Sequence, residues 1–176
     1  MNLANSITVL RIATVPVFVF LLLTSNPESL SRWIALFVFV AAISTDGLDG
    51  MVARRTDTVT NLGKILDPIA DKVLLGGALL TLSYLQEIEW WITILILARE
   101  LLVTIYRALV VKKKVIAASL SGKLKTIFQS IAVSFVMAPI EIWIPIWSYL
   151  ELGLLYVAVG LTIYSGISFV LAERKK

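Results

Sequence analysis

Six apolar runs divide this chain, near residues 7–24, 33–53, 67–86, 90–111, 126–145 and 148–171. Each holds about 20 mostly apolar residues, the length a helix needs to cross the hydrocarbon of a bilayer. The expected fold is therefore an all-α integral membrane protein with six transmembrane helices. Asn26-Pro27 closes the first run, Gly63 precedes the third, Gln86 to Glu89 separates the third from the fourth, and Gly122 opens the region of the fifth. With 59% apolar residues, 16% charged residues and a mean hydropathy of +0.90, the chain lies outside the range of soluble domains. No Pro/Gly/Ser-rich linker, fixed-period repeat or low-complexity segment divides residues 1–176, which read as one domain. The first run has no small-residue cleavage site behind it and is followed by others, so it reads as a retained span.

Lysine and arginine set the orientation, because short cytoplasmic loops are enriched in both. With six spans, one side collects Arg11, Arg54, Arg55, Lys64, Lys112 to Lys114, Lys123, Lys125 and Arg174 to Lys176. The other side collects Glu28, Arg32, Glu87, Glu89 and Glu141, with Trp33, Trp90, Trp91, Trp143 and Trp147 suited to an interfacial belt. Both termini are expected in the cytoplasm, in a multi-pass protein of the cell membrane. The net charge of +4 thus speaks for topology and for attraction to anionic membrane lipid, and nucleic acid is not an expected partner.

The chain contains no cysteine and no histidine, which removes thiolate chemistry, the usual general base and the commonest metal ligand. Acid–base or metal chemistry therefore falls to carboxylates. All five aspartates lie between positions 46 and 71, and four of them sit at the ends of apolar runs, where a carboxylate is costly. Asp46, Asp49, Gly50 and Ala53 are spaced to share one face of the second helix. Asp67 and Asp71 form a second carboxylate stripe on the third helix, with Gly63 one turn earlier. Asp57, in the loop between, is given no role.

Four carboxylates at one membrane end repel one another unless cations hold them. An all-oxygen set suits Mg²⁺ or Mn²⁺, and two such ions can clamp both sides of a phosphoryl displacement. The small residues Gly50 and Ala53 leave room for a flat nucleotide base, and Arg54 is placed to neutralise phosphate oxygens. The competing reading makes these acids helix-end salt-bridge partners or the lining of an ion pathway, as in a divalent-cation transporter. That reading gives no reason for Gly50, Ala53 and Arg54 at their spacings.

The stretch DGLDGMVARRTDTVTNLGKILDPIAD, Asp46 to Asp71, resembles the signature of the CDP-alcohol phosphotransferase family, DxxDGxxAR, eight residues, then GxxxDxxxD. All eight fixed positions are filled, by Asp46, Asp49, Gly50, Ala53, Arg54, Gly63, Asp67 and Asp71. Gly47 departs from relatives that often carry an aromatic residue there. Three further segments are similar to family members: Asn5, Thr8, Arg11 and Pro16 near the N-terminus, AREL with Arg107 in the fourth run, and SGKLKTIFQ from Ser121 to Gln129. The resemblance implies a six-helix membrane enzyme, usually a homodimer. It implies that Asp46, Asp49, Asp67 and Asp71 hold the metals and that Asp71 is also the general base. Asp49, Gly50, Ala53, Arg54 and Gly63 would contact the CDP moiety. The implied donor is CDP-diacylglycerol and the implied acceptor glycerol 3-phosphate.

A phosphorylated acceptor brings about two negative charges that need cations near the metal site. Lys123 and Lys125 lie at the cytoplasmic entry of the fifth run, with Thr126 and Gln129 as neutral partners, and Arg107 is the third expected phosphate ligand. Arg99 and Glu100, in the middle of the fourth run, either pair with other helices or join the pocket. Asn5, Thr8 and Lys64 complete the set as subsidiary candidates. Paired lysines favour a phosphorylated acceptor over serine. They do not separate glycerol 3-phosphate from inositol phosphate, and phosphatidylglycerol is a further alternative.

Overall fold

In the computed structural model the described residues form six helices and no strand: α1 (Leu3–Thr24), α2 (Leu30–Thr56), α3 (Asn61–Tyr84), α4 (Trp90–Val110), α5 (Leu120–Met137) and α6 (Trp147–Arg174). The structure describes the backbone of residues 3–56, 61–110 and 120–174, and the side chains of residues 8–45, 69–106, 109, 122 and 124–172. At about 1.5 Å per residue the helices run from about 27 Å for α5 to about 42 Å for α6.

The exterior of the bundle is apolar. Leu10 and Phe20 on α1, Phe37 on α2, Leu80 on α3, Leu102 and Leu109 on α4, Ile127 on α5 and Tyr164 on α6 all face outward, with Phe37 73% and Leu109 75% exposed. Such a surface, spread over all six helices, exceeds the isolated apolar patches of a water-soluble fold and suits lipid. From Trp147 to Ala172, α6 is long and apolar enough to cross a bilayer by itself. Shorter apolar stretches, Thr8–Thr24, Leu30–Thr45 and Leu124–Met137, lie in α1, α2 and α5.

Inside, α1 packs most closely on α2 and α3, and α5 on α6. Phe18 and Phe39 meet edge to face, with ring centroids 5.6 Å apart. Small residues bring the backbones together, as membrane helices require where no water drives association. Ala35, Ala42, Ala78, Ala132 and Ala158 are all buried. A methyl group at Gly77 would stand 3.0 Å from Val15 Cγ1, so a side chain there would push Val15 of α1 back by a few tenths of an ångström. Gly76 likewise admits Leu97 of α4, whose Cδ2 would be 3.4 Å from an added Cβ.

Buried polar contacts fix the relative directions of the helices. At one end, the buried Arg32 guanidinium on α2 donates to both carboxylate oxygens of Glu87, which follows α3. It also donates to the carbonyls of Met137 (3.1 Å) and Val136 (3.3 Å), at the last turn of α5. The start of α2 and the ends of α3 and α5 therefore meet there. Charged and polar partners on α1, α3, α4, α5 and α6 meet in the opposite half of the bundle, where the candidate site lies.

The helix limits differ from expectation mainly in the fifth element. The run at 126–145 was expected to be one span, but α5 covers Leu120–Met137 and the chain turns through 138–146. Pro139 disfavours helical geometry at the residue before it, and Pro145 has no N–H to continue a ladder. The indole of Trp147 closes the break by donating to the Phe135 carbonyl at 3.2 Å while its ring stacks on Phe135 at 4.5 Å. Gly122 and Gly63 lie inside the first turns of α5 and α3 rather than ahead of them. The second helix also begins earlier and ends later than expected, with the Ser29 carbonyl accepting from Arg32 N at its start.

Removing the Arg32 side chain strands Glu87 and two helix-end carbonyls at once. Arg32→Ala is expected to cost about 3 kcal/mol of stability, the scale for breaking one side of a buried ion pair. Thermal unfolding in detergent micelles checks this.

Candidate functional site

Arg11 sits about two turns into α1, within an otherwise apolar stretch, and its side chain is 1% exposed. A charge placed there needs an anion. Its Nη1 donates to Asp71 Oδ1 of α3 at 2.9 Å, across 60 residues of sequence. The Asp71 carboxylate itself is 45% exposed, so the pair has a dry cationic side and an open anionic side. Thr8, buried one turn before Arg11, follows on the same face of α1.

A second polar network joins α4, α5 and α6. Glu100 Oε1 accepts from Arg99 Nη1 at 3.1 Å and from Lys125 Nζ. Arg99 Nη2 donates to Ser165 Oγ of α6 at 2.7 Å. Lys125 is almost fully buried, its side chain 3% exposed. Two cations thus share one carboxylate oxygen, and this part-buried trio has two basic side chains to one acidic. The Gln129 amide, one turn further along α5, donates to Thr162 Oγ1 of α6 at 2.8 Å.

The two networks open on one cavity of about 530 Å³ between α1, α3, α4 and α5. Its polar wall is made by Asp71, Lys72, Glu100, Thr126 and Gln129, and its apolar wall by Val15, Leu75, Gly76, Gly77, Leu80, Leu97 and Leu101. A larger cavity of about 730 Å³ between α4 and α6 has Arg99 in its wall and, among the described residues, no carboxylate.

Of the expected site residues, the structure brings Asp71, Glu100, Thr126 and Gln129 to the same cavity. Lys125 is not in the lining; it stands paired to Glu100, where an open phosphate ligand was expected. Arg99 and Glu100 pair with each other and with α6 and α5, and Glu100 also faces the cavity, while Arg99 is not among its lining residues. Thr126 Oγ1 donates to the Gly122 carbonyl at 3.1 Å and lines the cavity.

The backbones of Asp46, Asp49, Gly50, Ala53 and Arg54 belong to the last turns of α2, those of Gly63, Lys64 and Asp67 to the first turns of α3. Asn5 is in α1, Arg107 in the last turn of α4 and Lys123 in the first turn of α5. The side chains of all these residues lie outside the described ones. Among the described residues no three acidic side chains come together as a metal site.

Arg11 was not expected in the site; it entered the sequence reading as a mark of orientation and as part of a family pattern. The available signal was its depth, since an arginine eight residues into an apolar helix requires a partner. Ser165 and Thr162, which anchor Arg99 and Gln129, carried no signal because isolated hydroxyls are common in membrane helices.

A family model described as CDP-alcohol phosphatidyltransferase matches residues 1–164. The chain is 40% identical over 170 residues to a protein of Mycobacterium tuberculosis (strain ATCC 25618 / H37Rv) named probable phosphatidylglycerophosphate synthase, covering 96% of this chain and 80% of that one. It is 37% identical over 179 residues to the CDP-diacylglycerol--glycerol-3-phosphate 3-phosphatidyltransferase of Bacillus subtilis (strain 168), covering 94% of this chain and 91% of the relative. The protein of the same name from Escherichia coli (strain K12) is 32% identical over 179 residues, 98% of this chain and 95% of the relative.

Glu100 is the only carboxylate that Arg99 and Lys125 engage among the described residues. Glu100→Ala is expected to lower stability by about 3 kcal/mol, and adding Lys125→Met is expected to recover part of the loss. Thermal unfolding of the single and double variants, as a double-mutant cycle, measures it.

Proposed function

The chain belongs to the CDP-alcohol phosphatidyltransferase family, and on that premise we propose that it moves the phosphatidyl group of CDP-diacylglycerol onto sn-glycerol 3-phosphate, giving phosphatidylglycerophosphate and CMP. The observation that carries this reading is the meeting of Asp71, fixed by Arg11, with Glu100, Thr126 and Gln129 around one cavity. A carboxylate suited to taking a proton shares the cavity with a second carboxylate and two neutral polar side chains.

The primary hydroxyl of glycerol 3-phosphate attacks the lipid-side phosphorus of the donor, the new P–O bond forms, the bond to CMP breaks, and the hydroxyl proton passes to Asp71. General-base assistance of this kind contributes roughly 10²–10⁴-fold. Arg11 acts as a positioning residue, holding Oδ1 from the dry side so that the carboxylate presents itself to the cavity. The apolar wall of Val15, Leu80, Leu97 and Leu101 keeps water from competing as the nucleophile. Thr126, with Arg107 and Lys123, is assigned to the acceptor phosphate, and Lys125 to holding Glu100 beside it. Asp49, Gly50, Ala53, Arg54 and Gly63 are assigned to the CDP moiety.

Asp46, Asp49, Asp67 and Asp71 are the proposed metal ligands. A set of carboxylates without histidine or cysteine fits a hard divalent cation, and the open side of Asp71 leaves its carboxylate accessible from the cavity. Bound Mg²⁺ or Mn²⁺, as two ions, would neutralise the diphosphate and the charge developing on CMP.

The reading includes six membrane spans with both termini and the cavity mouth on the cytoplasmic side. The exposed apolar side chains on every helix support it, as does the placement of Arg11, Asp71, Glu100 and Lys125 in the half of the bundle where α2 and α4 end and α3 and α5 begin. A homodimer, as the family resemblance implies, is part of the same proposal.

Two measurements test it. Purified protein supplied with CDP-diacylglycerol and Mg²⁺ should release CMP with glycerol 3-phosphate and not with serine, inositol phosphate or phosphatidylglycerol; turnover with one of those instead reassigns the acceptor. Asp71→Asn should still bind the cytidine nucleotide while CMP release falls by at least about 100-fold. Undiminished release by that variant removes Asp71 from the proton transfer.

A further inference from the structure

A cavity that takes a phosphorylated alcohol must show a cation to its contents, because a phosphate enclosed by apolar walls without one is strongly disfavoured. Three basic residues near the cavity do not meet this need. Arg11 is 1% exposed behind Asp71, Lys125 is 3% exposed behind Glu100, and Arg99 is not part of the lining. Among the described residues that line the cavity, Lys72 is the one cation. It follows Asp71 directly on α3 and is partly exposed.

The two carboxylates of the described wall are countered from behind. Asp71 Oδ1 accepts from Arg11 Nη1 at 2.9 Å, and Glu100 Oε1 accepts from Arg99 Nη1 at 3.1 Å and from Lys125 Nζ. Among the described residues in and directly behind the wall, Lys72, Arg11, Arg99 and Lys125 therefore stand against Asp71 and Glu100, four basic side chains to two acidic. The charge of Lys72 also reaches α5, where it opposes that of Lys125. Like charges in a low-dielectric interior repel, and a phosphate placed among them relieves the repulsion.

The position of Lys72 favours the acceptor over the donor as the source of that phosphate. The reacting hydroxyl of the acceptor must reach Asp71, and Lys72 is about 1.5 Å further along the same helix, with its ammonium on a flexible four-carbon stem. A three-carbon alcohol phosphate with its hydroxyl at Asp71 carries its phosphate within the sweep of that stem. The donor's diphosphate already has the proposed metal ions and Arg54. We propose that Lys72 is an acceptor-binding residue, whose ammonium holds the phosphate of the acceptor alcohol while Asp71 takes the proton from its hydroxyl. This rests on the assignment of a phosphorylated acceptor to the cavity.

The test measures CMP release by the unaltered protein, Lys72→Met and Lys72→Arg, varying first glycerol 3-phosphate and then CDP-diacylglycerol. Lys72→Met should raise KM for glycerol 3-phosphate by at least about tenfold, the scale of one hydrogen bond to a charged group, and leave KM for CDP-diacylglycerol near its original value. Lys72→Arg, which keeps the charge, should recover most of the loss. Inorganic phosphate, used as a competitor of glycerol 3-phosphate, should inhibit Lys72→Met more weakly than the unaltered protein. A role confined to packing or to setting the Asp71 carboxylate would lower kcat while KM for glycerol 3-phosphate and inhibition by phosphate stay unchanged, and that result overturns the inference. A rise in KM for CDP-diacylglycerol in place of the acceptor moves Lys72 to the donor's diphosphate and overturns it as well. Should Lys72→Met fail to fold, Lys72→Gln removes the charge while keeping a polar head and is read in the same way. Absence of CMP release with glycerol 3-phosphate in the unaltered protein overturns the acceptor assignment itself, and this inference with it.

Discussion

A charge buried in an apolar bundle survives only beside its opposite, and the bond between Arg11 and Asp71 is where that constraint organises this protein. The arginine comes from the first helix and the aspartate from the third, so the two helices that carry the N-terminal half of the site cannot be set in depth independently. About one and a half turns deeper on α3, Val15 of α1 comes close to the bare backbone of Gly77. Arg11 is buried and Asp71 half-exposed, so the structural part of the pair is sealed while the reactive part remains accessible. One interaction therefore serves both the packing of the bundle and the presentation of the proposed base.

The other half of the site is held differently. Glu100, Lys125, Arg99 and Ser165 tie three helices, with two basic side chains on a single carboxylate oxygen. Asp71 and Lys72 of α3 and Glu100, Thr126 and Gln129 of α4 and α5 thus face the same cavity. Lys125 is held in the apolar interior by its pairing with Glu100.

Much of this was legible in the sequence, for physical reasons. A run of apolar side chains long enough to be a span leaves little choice but helix, so six elements and an all-helical fold follow from the chain alone. Helical spacing likewise placed Asp67 and Asp71 on one stripe. Two things were not legible. The fifth run looked continuous because its residues stay mostly apolar over 126–145, Glu141 apart, yet Pro139 stops the helix at Met137 and Pro145 interrupts the ladder beyond it. Pairings between helices were also hidden: periodicity gives the face on which Arg11, Glu100 or Lys125 lies, but only packing shows that Arg11 meets Asp71 or that Lys125 meets Glu100 before any ligand. Gln129 was visible as a polar residue in an apolar run; its bond to Thr162 of α6 appears only once the helices are packed.

Gly76 and Gly77 have a final consequence. Side by side on α3, they turn bare backbone toward Leu97 on one flank and toward Val15 on the other, and both belong to the cavity lining. The chamber's width there is thus determined by atoms that are missing, and its dimensions change in steps of one methyl group. A chain of this kind can retune how bulky a guest it admits through a single small substitution on α3, leaving every ionised side chain where it is.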